Sequence, residues 1–272
     1  MDSYPLIKRF SIIVETISQR PPTLKGLLDH LHEKGFEISK RTLQRDIDNL
    51  KIDFGLDIQY KASTHTYHLD KDKSEHLDAL LRLIQLFHTS DILWQSIKEK
   101  ESFLSLISFE NTKNEYVGIN YLEPMLNAIR TCKLVSFEYE NFAKNTLSSY
   151  SVKPLLLKEY NRKWYIIGAF ADTDLLRTFA LDRISNLRIE IQHFAEELRE
   201  KTAGLFDNCI GLDYSPKPEV IKIAVTPVLA KYFKRIPLHA SQHIESETAT
   251  EVVFSYFLSP NRELQQLLLK YG

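Results

Sequence analysis

The stretch SKRTLQRDIDNL, residues 39–50, decides how the rest of the chain is read. At 100° per residue, Leu43, Ile47 and Leu50 fall within about 60° of one another, whereas Arg41, Arg45 and Asp48 lie roughly opposite, with Gln44 beside them. One face is apolar and suited to burial; the other carries two guanidinium forks and an amide. Arginine forks match phosphates and guanine edges, and a glutamine amide matches an adenine edge, so this helix has the chemistry of one placed in a DNA major groove. Taken alone, the same stretch also fits the solvated face of an ordinary amphipathic helix.

The flanking sequence favours the first reading. Leu6, Ile7, Phe10, Ile13, Val14 and Ile17 recur at helical intervals before Pro21 and Pro22. A second helix is expected from an N-cap at Thr23, along Leu24, Leu27, Leu28 and Leu31, to Gly35; a third from Ser39 to about Phe54 and Gly55. Leu56, Ile58 and Tyr60 then alternate, followed by a polar break at 62–64 and by Tyr67 and Leu69, which reads as a two-stranded hairpin. Three helices and a hairpin are the layout of a winged helix-turn-helix module. Residues 39–50 resemble the recognition helix of DeoR-like winged-helix repressors, on Ser39, Thr42, Arg45, Asp46 and Ile47. The DNA-contacting set expected is Lys40, Arg41, Thr42, Gln44, Arg45 and, near the hairpin tip, Lys61, with the lysines positioned for phosphate. Ten basic and ten acidic residues up to Asp70 leave this module neutral, so tight non-specific affinity is not expected.

The whole chain of 272 residues, 43% apolar and 26% charged with a net charge of −1, is an ordinary globular composition for two or three domains. Two cysteines cannot build a disulfide framework or a four-cysteine zinc site, and no apolar run approaches the roughly 20 residues that cross a bilayer, so a cytoplasmic location is expected. Eight glycines without a GxG give no phosphate-cradling loop. The histidine pairs His30/His32 and His65/His68 lack ligands at zinc spacing, and Asp172 and Asp174 fall in an expected turn. No acid, base, nucleophile or metal cluster assembles, so neither a cofactor nor an enzymatic role is expected.

Helical spacing returns from 74 to about 117, through Leu77, Leu80, Leu81, Ile84 and Phe87, then Ile92, Leu93 and Ile97, then Phe103, Leu104 and Ile107. Another helix is expected around 122–130. From 134 to 194 short strand-like runs follow: LVSFEY, YSVKPLLLKEY, KWYIIGAF, LRTFAL and LRIEIQHF, which suggest a small all-β barrel. After Pro218 the expected order is strand 220–226, helix 228–234, strand near 240–245, strand 251–258 and helix 261–269. That is a split βαβ module lacking its last strand, either through truncation or because another segment supplies the edge.

RKWYIIGAF and LLRTFALDRISNLRI are similar to the signature of WYL-domain proteins, on Trp164, Tyr165, Ile166, Arg177, Phe179, Leu181, Asp182, Arg183 and Ile184. FEY ending at Tyr139 and Pro154 within VKPLLL match the family's earlier strands. The resemblance implies an α+β multidomain chain: a winged helix-turn-helix at 1–70, a helical connector at 71–118, an Sm- or SH3-like WYL barrel at 119–200 and a C-terminal extension domain at 216–272. It implies a transcriptional regulator that binds duplex DNA as a homodimer, with the connector and extension as dimer surfaces, and senses a nucleotide or single-stranded nucleic acid through the barrel. Ligand contacts are expected from the stacking surfaces Tyr139 and Tyr165 and from the phosphate partners Arg162, Lys163, Arg177 and Arg183. Strand parity separates Trp164, expected in the core, from Tyr165. Arg177 shares parity with Phe179 and Leu181 and so needs an anion: a ligand phosphate, or an internal carboxylate such as Asp182 or Glu138. For Arg183 the alternative is a turn-stabilising pair with Asp182. A protein-binding adaptor that uses the barrel as an interaction module is the competing function.

Overall fold

The computed structural model describes residues 3–74, 76–98, 117–142 and 145–271. They belong to two compact units, Met1–Glu110 and Asn111–Gly272, taken in turn below.

The first unit opens with α1 (Ser3–Gln19), α2 (Leu24–Glu33) and α3 (Lys40–Phe54). Local chemistry sets the boundaries. The Thr23 side chain accepts from the Gly26 N–H at 3.0 Å and the Ser39 side chain from the Thr42 N–H at 3.1 Å, each satisfying a donor that the first turn leaves open. Past the two C-terminal ends, Gly35 and Gly55 adopt φ of 86° and 60°, which a side chain would resist. Leu43, Ile47 and Leu50 are completely buried against Ile13, Leu27 and Leu31. At about 1.5–3 kcal/mol for each such side chain, this packing outweighs intrinsic helix propensity in fixing how α3 is rotated.

The helix α4 (Leu77–Lys98) adds Leu77, Leu80 and Ile84 to the same core. It is tied to α1 where the buried Ser11 hydroxyl donates to Glu15 at 2.8 Å and lies 2.9 Å from His88 Nε2. The expected continuation through Phe103, Leu104 and Ile107 lies outside the described residues. Strands β1 (Asp57–Lys61) and β2 (Thr66–Asp70) pair antiparallel, with Ile58 opposite Leu69 and Tyr60 opposite Tyr67. The expected alternation fails at its last member: Leu56 and Ile58 are buried, but Tyr60 is half-exposed because it lies where the hairpin runs past the core. The hairpin is pinned near its tip, since the Tyr67 N–H donates to the Pro22 carbonyl at 2.9 Å.

In the second unit, a 3-10 turn at Ile119–Tyr121 leads into α5 (Leu122–Arg130), then β3 (Lys133–Asn141), β4 (Thr146–Tyr160), β5 (Lys163–Phe170), β6 (Leu176–Ala180), a 3-10 turn at Leu181–Arg183, and β7 (Ile184–His193). The strands form one antiparallel sheet in the order β6-β5-β4-β3-β7. Its two edge strands would stand about 19 Å apart if the sheet were flat. Only the three residues 181–183 join them. The sheet must therefore curl strongly, and it does: Phe137 on β3 lies 5.1 Å from Phe179 on β6, and the Tyr139 hydroxyl accepts from the Ala180 N–H at 3.3 Å. Met125 and Ala128 of α5 complete the core with Val135, Val152 and Ile166. Gly168 permits the closeness of β4 and β5, because a Cβ there would meet the Val152 side chain at 2.3 Å.

A second sheet follows in the same unit, built from β8 (Glu219–Val225), β9 (His243–Glu247) and β10 (Val252–Leu258) in the order β8-β10-β9, with α6 (Pro227–Arg235) and α7 (Arg262–Leu269). Phe233, Phe254, Tyr256 and Leu264 form its core. Among the described residues no strand covers the outer edge of β8. The strand expected near 240–245 begins later, at His243, because Ser241 and Gln242 are engaged in a turn: the Gln242 amide donates to the Phe233 carbonyl at 2.9 Å and the Ser241 hydroxyl accepts from the Phe257 N–H at 3.1 Å.

Candidate functional site

On α3, Lys40, Arg41, Gln44 and Arg45 are exposed, and Lys61 is exposed at the end of β1. Thr42 is half-buried, its hydroxyl 3.1 Å from that of Ser39 at the start of the helix. Arg41 and Arg45 make no ion pair among the described residues, so both guanidinium groups are available to an external anion. Gln44 differs from the picture given by the sequence: its amide donates to Asp48 at 3.1 Å and accepts from the Tyr67 hydroxyl at 3.3 Å. Asp46, one position after Arg45, has no solvent exposure and receives a forked pair of hydrogen bonds from Arg9 of α1, at 2.7 and 3.3 Å. Sequence reasoning missed Arg9, whose partner lies 37 residues away.

On the curled sheet, Asn161 and Arg162 form the β4–β5 turn with φ of 49° and 62°, the pairing of left-handed residues that a tight two-residue hairpin needs. Arg162 is exposed at its tip. Lys163, the first residue of β5, donates to Asp182 at 2.6 Å. Tyr165 lies close enough to Asp182 and Arg183 to feel both charges; burial raises its hydroxyl pKa, Asp182 adds to the rise, and Arg183 opposes it. Arg183 stacks its guanidinium 4.3 Å from the centre of the exposed Phe142 ring, and the Asp182 Oδ1 and Arg183 Nε atoms are buried without a partner. Lys163, Tyr165, Asp182 and Arg183 are therefore brought together at the turn that joins β6 to β7. The ion pair at this turn is Lys163–Asp182 rather than the alternative Arg183–Asp182, and the Arg183 guanidinium lies on Phe142 instead. This turn is packed on Gly118, where a Cβ would meet the Leu181 carbonyl carbon at 2.4 Å.

Tyr139 does not offer a stacking surface. Its ring is buried, 5.2 Å from Phe179 and 6.2 Å from Tyr150, because β3 faces the inside of the curl at odd-numbered positions. Trp164 is half-buried and packs against the same core.

Arg177 lies among three rings, its guanidinium carbon 5.1 Å from the centre of Tyr150, 5.2 Å from Phe179 and 5.9 Å from Phe170. The electron-rich faces of the rings offset part of the cost of holding a cation on the core side of the sheet. Neither expected carboxylate serves it: Asp182 takes Lys163, and Glu138 accepts from Asn186 at 2.6 Å. No carboxylate among the described residues forms an ion pair with Arg177. Such a half-buried guanidinium presents planar donors to an incoming anion, with aromatic surface beside it for a base. Tyr150 and Phe170 were not singled out in the sequence; Tyr150 shares parity with the buried Val152, which was the available signal.

Elsewhere, Asp174 bridges Lys201 at 2.9 Å and Lys153 at 3.6 Å, and the hydrogen bond from Lys201 holds its carboxyl below the usual range, consistent with a local structural role. Among the described residues no cluster of three or more His, Cys, Asp or Glu could hold a metal ion, and no helix is long and apolar enough to cross a membrane.

A three-helix and hairpin unit with exposed arginines and a second unit whose curled sheet carries a basic and aromatic cluster define a multidomain α+β protein. Residues 120–189 match the model of the WYL domain. Among solved structures it is similar to proteasome accessory factor B/C (PafBC) of Arthrobacter aurescens, with 14% identity and a TM-score of 0.32 over 98% of this chain and 43% of that one. It is also similar to a CRISPR Cas-related protein, with 12% identity and a TM-score of 0.35 over 98% of this chain and 83% of that one. This chain thus spans less than half the length of PafBC. No curated protein matches it.

Proposed function

We propose that this protein is a transcriptional regulator that binds duplex DNA as a homodimer and responds to a nucleotide or single-stranded nucleic acid. In this reading residues 1–70 are a winged helix-turn-helix, 71–118 a helical connector, 119–200 an Sm- or SH3-like sensor barrel, and 216–272 an extension of split βαβ type. The observation that carries it is the outward face of α3, where Arg41 and Arg45 are exposed and make no ion pair among the described residues while Leu43, Ile47 and Leu50 are sealed on the opposite side. In this reading Lys40, Thr42, Gln44 and Lys61 complete the DNA-contacting set, and two such helices about 34 Å apart would read a palindrome.

The sensing role is supported by Arg177 in its ring cage, with Arg162, Lys163, Tyr165 and Arg183 on the same curled sheet. A ligand acts on DNA binding by favouring one placement of the two recognition helices over another, whatever its absolute affinity. The proposed activity is binding and release, with no chemical step. The test is a mobility shift of the full chain with random and genomic duplex DNA at two salt concentrations. A sequence-preferring, salt-sensitive complex abolished by Arg45→Ala supports the regulator. A dimer that binds no duplex would favour a protein-binding adaptor.

A further inference from the structure

The three-residue contact of Gln44, Asp48 and Tyr67 joins the recognition face of α3 to the hairpin. Asp48 bears a carboxylate, which only accepts hydrogen bonds, so the end of the Gln44 amide that lies 3.1 Å from it must be the NH2 group. That fixes the flip of the amide and leaves its oxygen facing the Tyr67 hydroxyl at 3.3 Å, where the tyrosine must donate. Burial and the neighbouring Tyr60 and Asp48 raise the pKa of the Tyr67 hydroxyl, so it keeps its proton for this role. Tyr67 is itself immobilised, by the hydrogen bond from its N–H to the Pro22 carbonyl and by Tyr60, whose ring centre lies 5.2 Å away. Gln44 remains exposed, and its amide retains one N–H and one oxygen lone pair for another partner.

We propose that Tyr67 and Asp48 clamp the Gln44 amide in a single orientation and thereby make Gln44 the residue of α3 that discriminates for adenine, with Tyr67 and Asp48 as positioning residues. The inference rests on the DNA-binding reading above and deepens it. Adenine offers a donor and an acceptor side by side on its major-groove edge, which a fixed amide matches in one sense only. Thymine and guanine offer acceptors there, which a freely rotating amide could satisfy through its NH2 group. Holding the amide still converts a residue that tolerates several bases into one that selects. The hairpin would then contribute to sequence choice without touching the selected base.

The test begins by selecting the preferred duplex from a random pool with the full chain. Affinities for that duplex and its single base-pair substitutions are then measured for the wild type, Gln44→Ala, Tyr67→Phe and Asp48→Ala. Gln44→Ala is expected to lower discrimination about tenfold at one A·T position. Tyr67→Phe and Asp48→Ala should lose most of that discrimination at the same position while leaving discrimination at the other positions unchanged. Asp48→Ala leaves the Tyr67 hydrogen bonds to Gln44 and Pro22 in place, so it keeps the test sound if Tyr67→Phe disturbs folding. If both variants discriminate like the wild type where Gln44→Ala does not, or if Gln44→Ala alters no position, the clamp is wrong although DNA binding stands. If the wild type binds no duplex at all, the DNA-binding reading fails and the clamp with it.

Discussion

Arg9 and Asp46 form a two-pronged ion pair that couples α1 to α3, with Asp46 wholly buried and the Arg9 side chain 13% exposed. A carboxylate in that position is tolerable only while its partner stays. Arg9→Ala is expected to destabilise the protein by about 3–5 kcal/mol, because it strands a buried charge. Arg9→Met with Asp46→Leu should recover much of the loss, since an apolar pair leaves no orphan. Urea unfolding of the three proteins checks this, and an unchanged midpoint for Arg9→Ala would show that Asp46 does not depend on it.

The ring cage around Arg177 makes a prediction about ligands. Arg177→Met keeps the apolar stem in contact with Tyr150 and Phe179 but removes the donors, so folding should persist while capture of a short oligothymidine weakens at least about tenfold. Calorimetric titration measures this. Equal affinity for wild type and variant would place the nucleic-acid site elsewhere.

Gly118 has φ of +85° and no room for a side chain against the Leu181 carbonyl. Gly118→Ala is therefore expected to cost about 1–3 kcal/mol and to displace the turn that holds Asp182 and Arg183. Thermal unfolding tests the first part. The second part is tested by tyrosine absorbance: the hydroxyl of Tyr165, which Asp182 helps to raise, should titrate at lower pH in the variant.

The second sheet has an alkaline limit. Burial pushes the Tyr256 hydroxyl up to about 12, above the ordinary tyrosine range, so the folded form keeps a proton that the unfolded chain releases first. Stability from this group is complete below the unfolded value and declines as pH rises from there to about 12. Tyr256→Phe gives up the 2.9 Å hydrogen bond to Gln242, at about 1 kcal/mol, but should flatten the alkaline decline. Unfolding midpoints measured on either side of the unfolded value decide the matter: parallel declines in both proteins would mean that another group sets the limit.

Much of the secondary structure was legible because its causes are local. Ser39 and Thr23 cap the helices they precede, Gly55 ends α3, and KWYIIGAF spans β5 from its first residue to its last. The exposed face of α3 could likewise be read from spacing alone. What stayed hidden depends on distant residues. The partner of Asp46 is 37 positions away, and Arg177 is caged by rings from β4, β5 and β6 that meet only because the sheet curls. The same curl places Tyr139 inside and gives Asp182 to Lys163. Parity names the two sides of a strand but not which side the curl encloses, nor which of several nearby ions will pair.

The account depends most on Arg41 and Arg45 meeting DNA phosphates or base edges, and the slope of duplex affinity against salt concentration tests it most directly. Each phosphate contact contributes about −0.9 to the slope of log affinity against log salt concentration. The Arg41→Ala, Arg45→Ala double variant of the full chain should bind its preferred duplex at least about tenfold more weakly, with a slope shallower by roughly one to two. A variant with unchanged affinity and an unchanged slope would contradict the assignment of α3 as the DNA-reading helix.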